Sequence, residues 1–595
     1  MPAAWPQRLK PWPNAEPTNL PLAADTAQHP MSMTPALAHK AQGGTLLLGE
    51  PRFPDQLMEA QGQTTESAWR HLIRQYGPSE AARRVSGPFA VALTLDDGSI
   101  FMAVDRFAIQ PLCYRTEGTA LLFAARADVL SPVGAANLDP QALFDYLYFH
   151  VIPSPRTVHV GVNRLPPGHY AHFKGGQLTV APYWVPSFEP AAKPSFNALR
   201  EEFRSLLHQA VRRQLDSSRP ACFLSGGTDS SSVAGLIGEV AGRPAATYSI
   251  GFDAQGYDEM SYARIAAKRY GTDHHEYYVT PEDLVASIPK VAASYDQPFG
   301  NSSAVPAYHC ALNAAGDGVT RLLAGDGGDE LFGGNSRYAT QRIFDWYQAV
   351  PKAVRRGLLE PFFSIGLVAR TPGLKKGSSY IRQANTPLPH RGQEFNLLRR
   401  LGYADVLTPA MLQQANPASV EVQQAAVWNA ARAADELDKH LAYDWRYTLA
   451  ENDLPKVVGT TSLAGVGVGF PFLDDDLLAF SMRLPVDYKL KGKHLRWFFK
   501  EALRGFLPDE IITKKKHGFG LPFGLWMLRH QGLRSLATDS LRSVSARGFI
   551  QPEFAKRLLD DYLPTAPQYY GSMIWVLMML EQWLRAHAPE YRLQT

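Results

Sequence analysis

Cysteine is scarce in this chain. There are three in 595 residues, Cys113, Cys222 and Cys310, and their scatter suits neither metal ligation nor dithiol redox chemistry. That excludes a disulfide scaffold and disfavours thiol-dependent sulfur transfer. No run of 18 or more apolar residues occurs, and proline breaks the N-terminus where a signal peptide would need an apolar core. The expectation is a soluble cytoplasmic protein without a membrane partner. Excess charge of one sign is missing too: 60 basic side chains stand against 56 acidic ones, too even a balance for nucleic-acid binding by charge alone. Any anion site must therefore be local. The Gly-Lys-Ser/Thr triplet of Walker-type phosphate loops is absent, and Gly226-Gly227 lacks the spacing of a dinucleotide fingerprint.

What is present is an ordinary globular composition, 45% apolar and 19% charged, in a chain long enough for two or more domains. Residues 1–43, with Pro2, Pro6, Pro11, Pro13, Pro17, Pro21, Pro30 and Pro35, read as an irregular extension. Residues 44–185 carry short alternating runs, such as Phe89 to Leu95 and Ile100 to Val104. Turn signals at Asp96-Asp97-Gly98 and Glu117-Gly118 punctuate them, predicting hairpins. Helical runs at Glu66 to Tyr76 and Pro140 to Phe149 make this an α+β domain. Residues 186–195, rich in Pro and Ala, read as a linker.

From Phe196 to 595 the pattern changes. Helices are expected at Phe196–Leu215, Ser231–Ala241 and Tyr262–Tyr270, alternating with strands at Ala221–Leu224, Ala246–Ile250 and Glu276–Val279. That order predicts a parallel sheet with helices on both faces and ligands at the carboxyl ends of the strands. Beyond Tyr338 the chain reads as mostly helical, with long helices at Ser419–Leu441 and Tyr570–Ala588.

The chemistry concentrates in two loops after predicted strands. Phe223-Leu-Ser-Gly-Gly-Thr-Asp-Ser-Ser231 is built to hold pyrophosphate. Gly226 and Gly227 let the backbone approach an anion, Ser225 and Ser230 add hydroxyls, and the following helix points its N-terminus at the charge. Asp229 is unfavourable in such a nest unless a cation such as Mg²⁺ bridges it to phosphate. The second loop, Ala324 to Gly334, offers Asp329 as a second metal ligand and Asp326 as a base or a group orienting an amine. Lys516, in the run Lys514-Lys515-Lys516-His517, is the first candidate to offset charge on leaving pyrophosphate, and Lys456 a weaker one. His274-His275-Glu276 is rejected as a metal site because adjacent strand residues point to opposite faces.

Taken in order, Ser225-Gly-Gly-Thr-Asp-Ser-Ser, Tyr248-Ser-Ile-Gly-Phe, His274-His-Glu, Tyr295-Asp-Gln-Pro-Phe-Gly, Gly325-Asp-Gly-Gly-Asp-Glu, Pro471-Phe-Leu-Asp and Lys516-His-Gly-Phe resemble the glutamine-dependent asparagine synthetase family. Its relatives include β-lactam synthetases and lasso-peptide cyclases. The resemblance implies an α/β synthetase domain of the PP-loop, adenine nucleotide α-hydrolase-like type at 196–595, preceded by an α+β N-terminal-nucleophile-type glutaminase-like domain at 44–185. It implies ATP and Mg²⁺ as cofactors, with Asp229 and Asp329 as metal carboxylates. Leu224, Ile250 and Gly325 fall in the adenine pocket, Asp326 is the active-site acid where β-lactam synthetases have Tyr, and Lys516 is the catalytic lysine. The implied reaction turns a small-molecule or peptide carboxylate into an acyl-adenylate, which ammonia or an amine then converts to an amide. A homodimer is compatible with it.

Two departures shape the expectation. The glutaminase nucleophile is a Cys directly after the initiator Met, and this chain begins Met1-Pro2, with no Arg-x-Arg-Gly-Pro-Asp or Asn-Gly-Glu segment to hold glutamine. The domain is expected to be inactive as a glutaminase. Where the family has Lys-Val-Asp-Arg and Glu-x-Arg, this chain has Lys456-Val-Val-Gly459 and Gly467-Val-Gly469, which leaves the acceptor open. A macrolactam- or β-lactam-forming cyclase is one alternative, and a catalytically silent nucleotide-binding scaffold is another.

Overall fold

The computed structural model describes residues 44–54, 64–131, 137–192, 194–364, 374–515 and 520–594. The Pro-rich extension and Lys516 lie outside the described residues.

The first half is antiparallel. Strands β1 (Thr45–Gly49), β2 (Phe89–Thr94), β3 (Ile100–Val104), β7 (His169–Lys174) and β8 (Gln177–Pro182) form one sheet in the order β1-β2-β3-β7-β8. A smaller sheet joins β5 (Ala120–Ala124), β4 (Cys113–Glu117) and β6 (Asn163–Arg164). The hairpin turns fall at Asp96-Asp97-Gly98 and Glu117-Gly118, where small and polar residues admit tight reversal. Helix Thr65–Tyr76 packs Trp69 edge-on against Phe53 and Phe89.

The second half is built on a parallel sheet in the order β11-β10-β9-β12-β13: β9 (Ala221–Phe223), β10 (Ala246–Phe252), β11 (Asp273–Val279), β12 (Arg321–Leu323) and β13 (Gly467–Gly469). The period-2 alternation of a strand assigns its faces. Cys222 and Leu323 pack with helices Phe196–Gln214, Thr228–Ala241 and Met260–Tyr270. Their neighbours Ala221 and Leu322 turn the other way, against helix Ala304–Gly316. Both faces are covered, so the inner strands β9, β10 and β12 are mostly apolar and buried, whereas edge strand β11 is polar and largely exposed or half-buried.

The single helix expected over Ser419–Leu441 is two, Ala418–Ala430 and Glu436–Asp444. The cause lies 240-odd residues upstream in sequence: Arg432 donates its backbone N–H to Pro186 and accepts from Phe188, at 2.9 and 2.8 Å. Its backbone groups are thus spent on another segment. Asp435 then caps the next helix through Leu437 N–H. The stretch after Pro186 is pinned further by Ala191 N–H to Arg483 C=O at 2.9 Å.

Buried polar contacts join the two halves. Asp296 accepts from Arg164 at 3.0 Å and from the Ala127 N–H at 2.9 Å. Glu451 takes the Ser154 hydroxyl at 2.6 Å and pairs with Arg446. Burial alone would raise the Asp296 pKa, but Arg164, the Ala127 N–H and Arg126 outweigh it and hold the carboxyl below its ordinary value. A carboxylate with a lowered folded pKa stabilises above the unfolded value of 3.8 and loses that contribution as pH falls through the folded one. Asp296→Ala should therefore cost about 3–5 kcal/mol near pH 7, because it strands a buried guanidinium, and less in acid. Urea unfolding at pH 7 and pH 3 checks both the size and the sign.

Candidate active site

Strand β9 ends at Phe223, and the chain turns through Leu224 to Gly227 into helix Thr228–Ala241. Gly226 has φ +68°, and a Cβ there would stand 2.4 Å from the backbone nitrogen of Ala263, so the left-handed turn and the close approach both demand glycine. Gly227 caps the helix without any side-chain bond, leaving first-turn N–H groups directed at the loop mouth. Ser230 Oγ accepts the Ser225 N–H at 3.1 Å and lies 3.0 Å from Ser225 Oγ. These bonds hold the loop in a concave shape before any anion arrives.

Gly325, after β12, lies directly on this turn: a Cβ there would be 2.8 Å from the Ser230 backbone nitrogen. Leu224 is buried and donates its N–H to the Tyr248 carbonyl at 2.9 Å, while half-buried Ile250 lies further along β10. The carboxyl ends of β9, β10 and β12 thus converge.

Asp229 and Asp329, distant in sequence, share one partner that sequence reasoning missed. Arg496 places Nη1 2.7 Å from an Asp229 oxygen, 2.7 Å from Asp329 and 2.9 Å from Thr228 Oγ1, and its Nη2 makes a second bond to Asp229. Its guanidinium stacks 3.9 Å from the Phe499 ring centroid. Arg496 is buried and adopts φ +56°, a left-handed conformation uncommon outside glycine. Burial would lower its pKa, but Asp229 and then Asp329 overcome that and drive it higher. Nearby Lys500 is pushed down, first by burial and then by Arg496. No spacing rule links positions 229, 329 and 496. The available signal was physical: two carboxylates in one pocket call for a cation.

The donor set suits Mg²⁺, which takes hard oxygens and binds through one or two carboxylates plus phosphate oxygens. The carboxylates also sit in cradles of bare backbone. A Cβ at Gly328 would lie 2.2 Å from an Asp229 oxygen, and one at Gly334 would lie 1.8 Å from an Asp329 oxygen. Asp229 and Asp329 are the residues that could hold the ion.

Asp326 faces a different cation. Lys456 stands 3.5 Å from it and 3.1 Å from Asp453. Burial raises the Asp326 pKa, and Lys456 opposes that rise. Lys456, ranked second from sequence, is thus placed beside the acid, and Lys514 of the lysine run pairs with Glu259 at 2.9 Å. His274 bonds Thr247 while His275 stacks on Tyr248, on opposite faces of β11. Among the described residues no cluster of three or more His, Cys, Asp or Glu forms a metal centre.

Comparison with known proteins gives the family. A family model described as asparagine synthase matches residues 202–585, and one described as a glutamine amidotransferase domain matches residues 60–184. The chain is 26% identical over 542 residues to "Asparagine synthetase [glutamine-hydrolyzing] 1" of Bacillus subtilis, covering 88% of this chain and 82% of that protein. It is 27% identical over 529 residues to a putative glutamine-hydrolyzing asparagine synthetase of Mycobacterium bovis, covering 85% and 77%. It is 29% identical over 537 residues to "Amidase chry2" of Gibberella zeae, covering 82% and 77%. Among solved structures, a glutamine phosphoribosylpyrophosphate amidotransferase from B. subtilis matches with 16% identity and a TM-score of 0.16, over 35% of this chain and 47% of that one. An amidotransferase domain ahead of an ATP-using, amide-forming ligase domain is the class so defined. The chain belongs to the asparagine synthase family.

Arg496→Met should cost about 3–5 kcal/mol, because it leaves two carboxylates facing each other in a partly desolvated pocket. Denaturant unfolding in metal-free buffer measures it, and a loss below 1 kcal/mol would show that the three groups do not act as a unit.

Proposed function

We propose that the chain is an AMP-forming carbon-nitrogen ligase that activates a carboxylate with ATP and passes the acyl group to ammonia or an amine. The observation that carries this reading is the joining of Asp229, Asp329 and Arg496 beside the uncapped helix N-terminus at Thr228. In the first step a carboxylate oxygen bonds to the α-phosphorus of ATP and the α–β bridging bond breaks, releasing pyrophosphate. The turn from Ser225 to Gly227 and the helix N-terminus hold the phosphates, and Arg496 offsets the charge that grows on the leaving group. Leu224, Ile250 and Gly325 border the adenine. Mg²⁺ held by Asp229 and Asp329 would supply further charge neutralisation. In the second step the nitrogen attacks the acyl carbon and AMP departs with the bonding pair. Asp326 is positioned to take the proton the nitrogen sheds, and Lys516 is assigned to the transferring phosphate.

The acceptor is not free aspartate in this reading. At Gly459 a Cβ would meet the Tyr295 ring at 2.6 Å, and at Gly469 it would meet the Gln214 side-chain oxygen at 2.3 Å. Neutral Tyr295 and Gln214 fill the room that charged side chains would need. A carboxylate borne on a less charged metabolite or peptide fits such walls better.

Nor does the first domain hydrolyse glutamine. Cys113, the one of the three cysteines that lies in that domain, is buried, and burial pushes its thiol up to about 12. Thiols of that kind are not nucleophiles at neutral pH.

A panel of carboxylates incubated with ATP, Mg²⁺ and ammonia should yield AMP and pyrophosphate together with one class of acceptor; ADP and phosphate would contradict adenylation. Asp229→Asn should lower that rate roughly 10²-fold, the scale of losing one preorganised charge at a reacting centre. Glutamine should support amide formation no better than the ammonia it contains, and protein-dependent release of glutamate would restore a working glutaminase.

A further inference from the structure

Helices Thr228–Ala241 and Met260–Tyr270 both begin at the phosphate loop, the second through Tyr262 and Ala263 against Gly226. Their far ends, about 20 Å away at 1.5 Å per residue, meet the turn at residues 503–507 around a groove of about 790 Å³. Arg204, Arg243, Arg269 and Arg504 line it, with Glu239 as the acidic member of the lining.

The arginines differ in what holds them. Arg504 is neutralised by Glu501 at 2.8 Å and Asp509 at 3.2 Å. Arg204 instead donates to the Ala502 carbonyl, Arg243 to that of Ser218 and Arg269 to that of Gly505, each at 2.8 Å. Carbonyls fix a guanidinium in direction without cancelling its charge. Among the described residues no carboxylate forms an ion pair with Arg204, Arg243 or Arg269. The helix C-termini contribute about half a negative charge each, and Glu239 one more, so three oriented cations still outweigh what opposes them. The floor is bare: at Gly238, Gly242 and Gly505 an added Cβ would meet nothing within 4 Å. Fork-shaped donors open to one concave surface are what a phosphate group engages, since guanidinium bonds it in bidentate fashion.

We propose that this groove is a second anion site, separate from the phosphate loop, which binds a small molecule carrying two or more phosphate groups. Capping of helix ends by arginine accounts for Arg243 and Arg269 singly, but not for their convergence with Arg204 on one unfilled groove.

The probe is inorganic tripolyphosphate, followed by peptide-resolved hydrogen exchange on the full chain. Protection should appear at residues 235–243 and 503–507 as well as at the phosphate loop. In the Arg243→Gln/Arg269→Gln double variant the groove peptides should need at least tenfold more tripolyphosphate, while carboxylate-dependent ATP–pyrophosphate exchange without the probe stays within twofold of the parent. Protection confined to residues 225–231, or groove protection unchanged in the double variant, would overturn the site. Should that variant fold poorly, Glu239→Gln decides the matter: removal of the opposing carboxylate should lower the half-saturating concentration about threefold, and an unchanged or weaker response rejects the proposal.

Discussion

The contact on which the catalytic half depends is the guanidinium of Arg496 against two carboxylates. Asp229 rides on the helix after β9, Asp329 on the short helix Gly328–Phe332 after β12, and Arg496 opens the helix Trp497–Ala502. Separately, each would be a charge partly withdrawn from water, costing several kcal/mol. Together they fix three segments at one point. Glycine makes the approach geometrically feasible: Gly325, Gly328 and Gly334 each face a neighbour that a methyl group would strike. The sheet brings the loops near one another, the glycines remove the obstacles, and the ion pairs set the final distances.

That arrangement also explains how a carboxylate can stand inside the turn proposed to hold phosphate. Left alone, Asp229 would repel phosphate. With Arg496 bonded to it, the local charge is set by three partners, and a cation that shares the same oxygens converts repulsion into bridging. Asp326 belongs to a second electrostatic unit with Lys456 and Asp453, so the two ends of the proposed reaction, phosphate and nitrogen, are served by separately balanced groups.

Much of the fold was legible because it follows local rules. Alternation and turn residues marked the hairpin β2–β3, and the order of runs from Phe196 marked the parallel sheet; element ends shifted by a few residues, as at Thr228, where the helix starts earlier than Ser231. The break at 431–435 was invisible, since it is imposed by the distant segment at Pro186 and Phe188 rather than by any helix breaker. For the site, glycines and acids next to strand ends stood out as composition. Arg496 did not, because a lone arginine in a polar stretch looks like any solvated side chain until the fold brings Asp229 and Asp329 to it. Lys456 gained weight for the same reason, and Lys514, one of a charge run, proved to be tied to Glu259.

The amidotransferase-like half poses a different question: what it contributes to the chain besides any chemistry of its own. Its contacts supply an answer in energetic terms. Arg164 and Asp296 are half-buried against each other across the two halves, Glu451 holds Ser154, and Tyr146 donates to the Val576 carbonyl at 2.8 Å. Removing the domain would expose the apolar face of helix 567–587 and strip Asp296 of Arg164 and Glu451 of the Ser154 hydroxyl, a destabilisation of several kcal/mol. Chemistry at the first domain can be lost one residue at a time, whereas its packing cannot. The domain therefore forms part of the wall on which the ligase half packs, and the segment that carries Lys456 keeps its position because Tyr295, next to Asp296, lies against the backbone at Pro455 and Gly459.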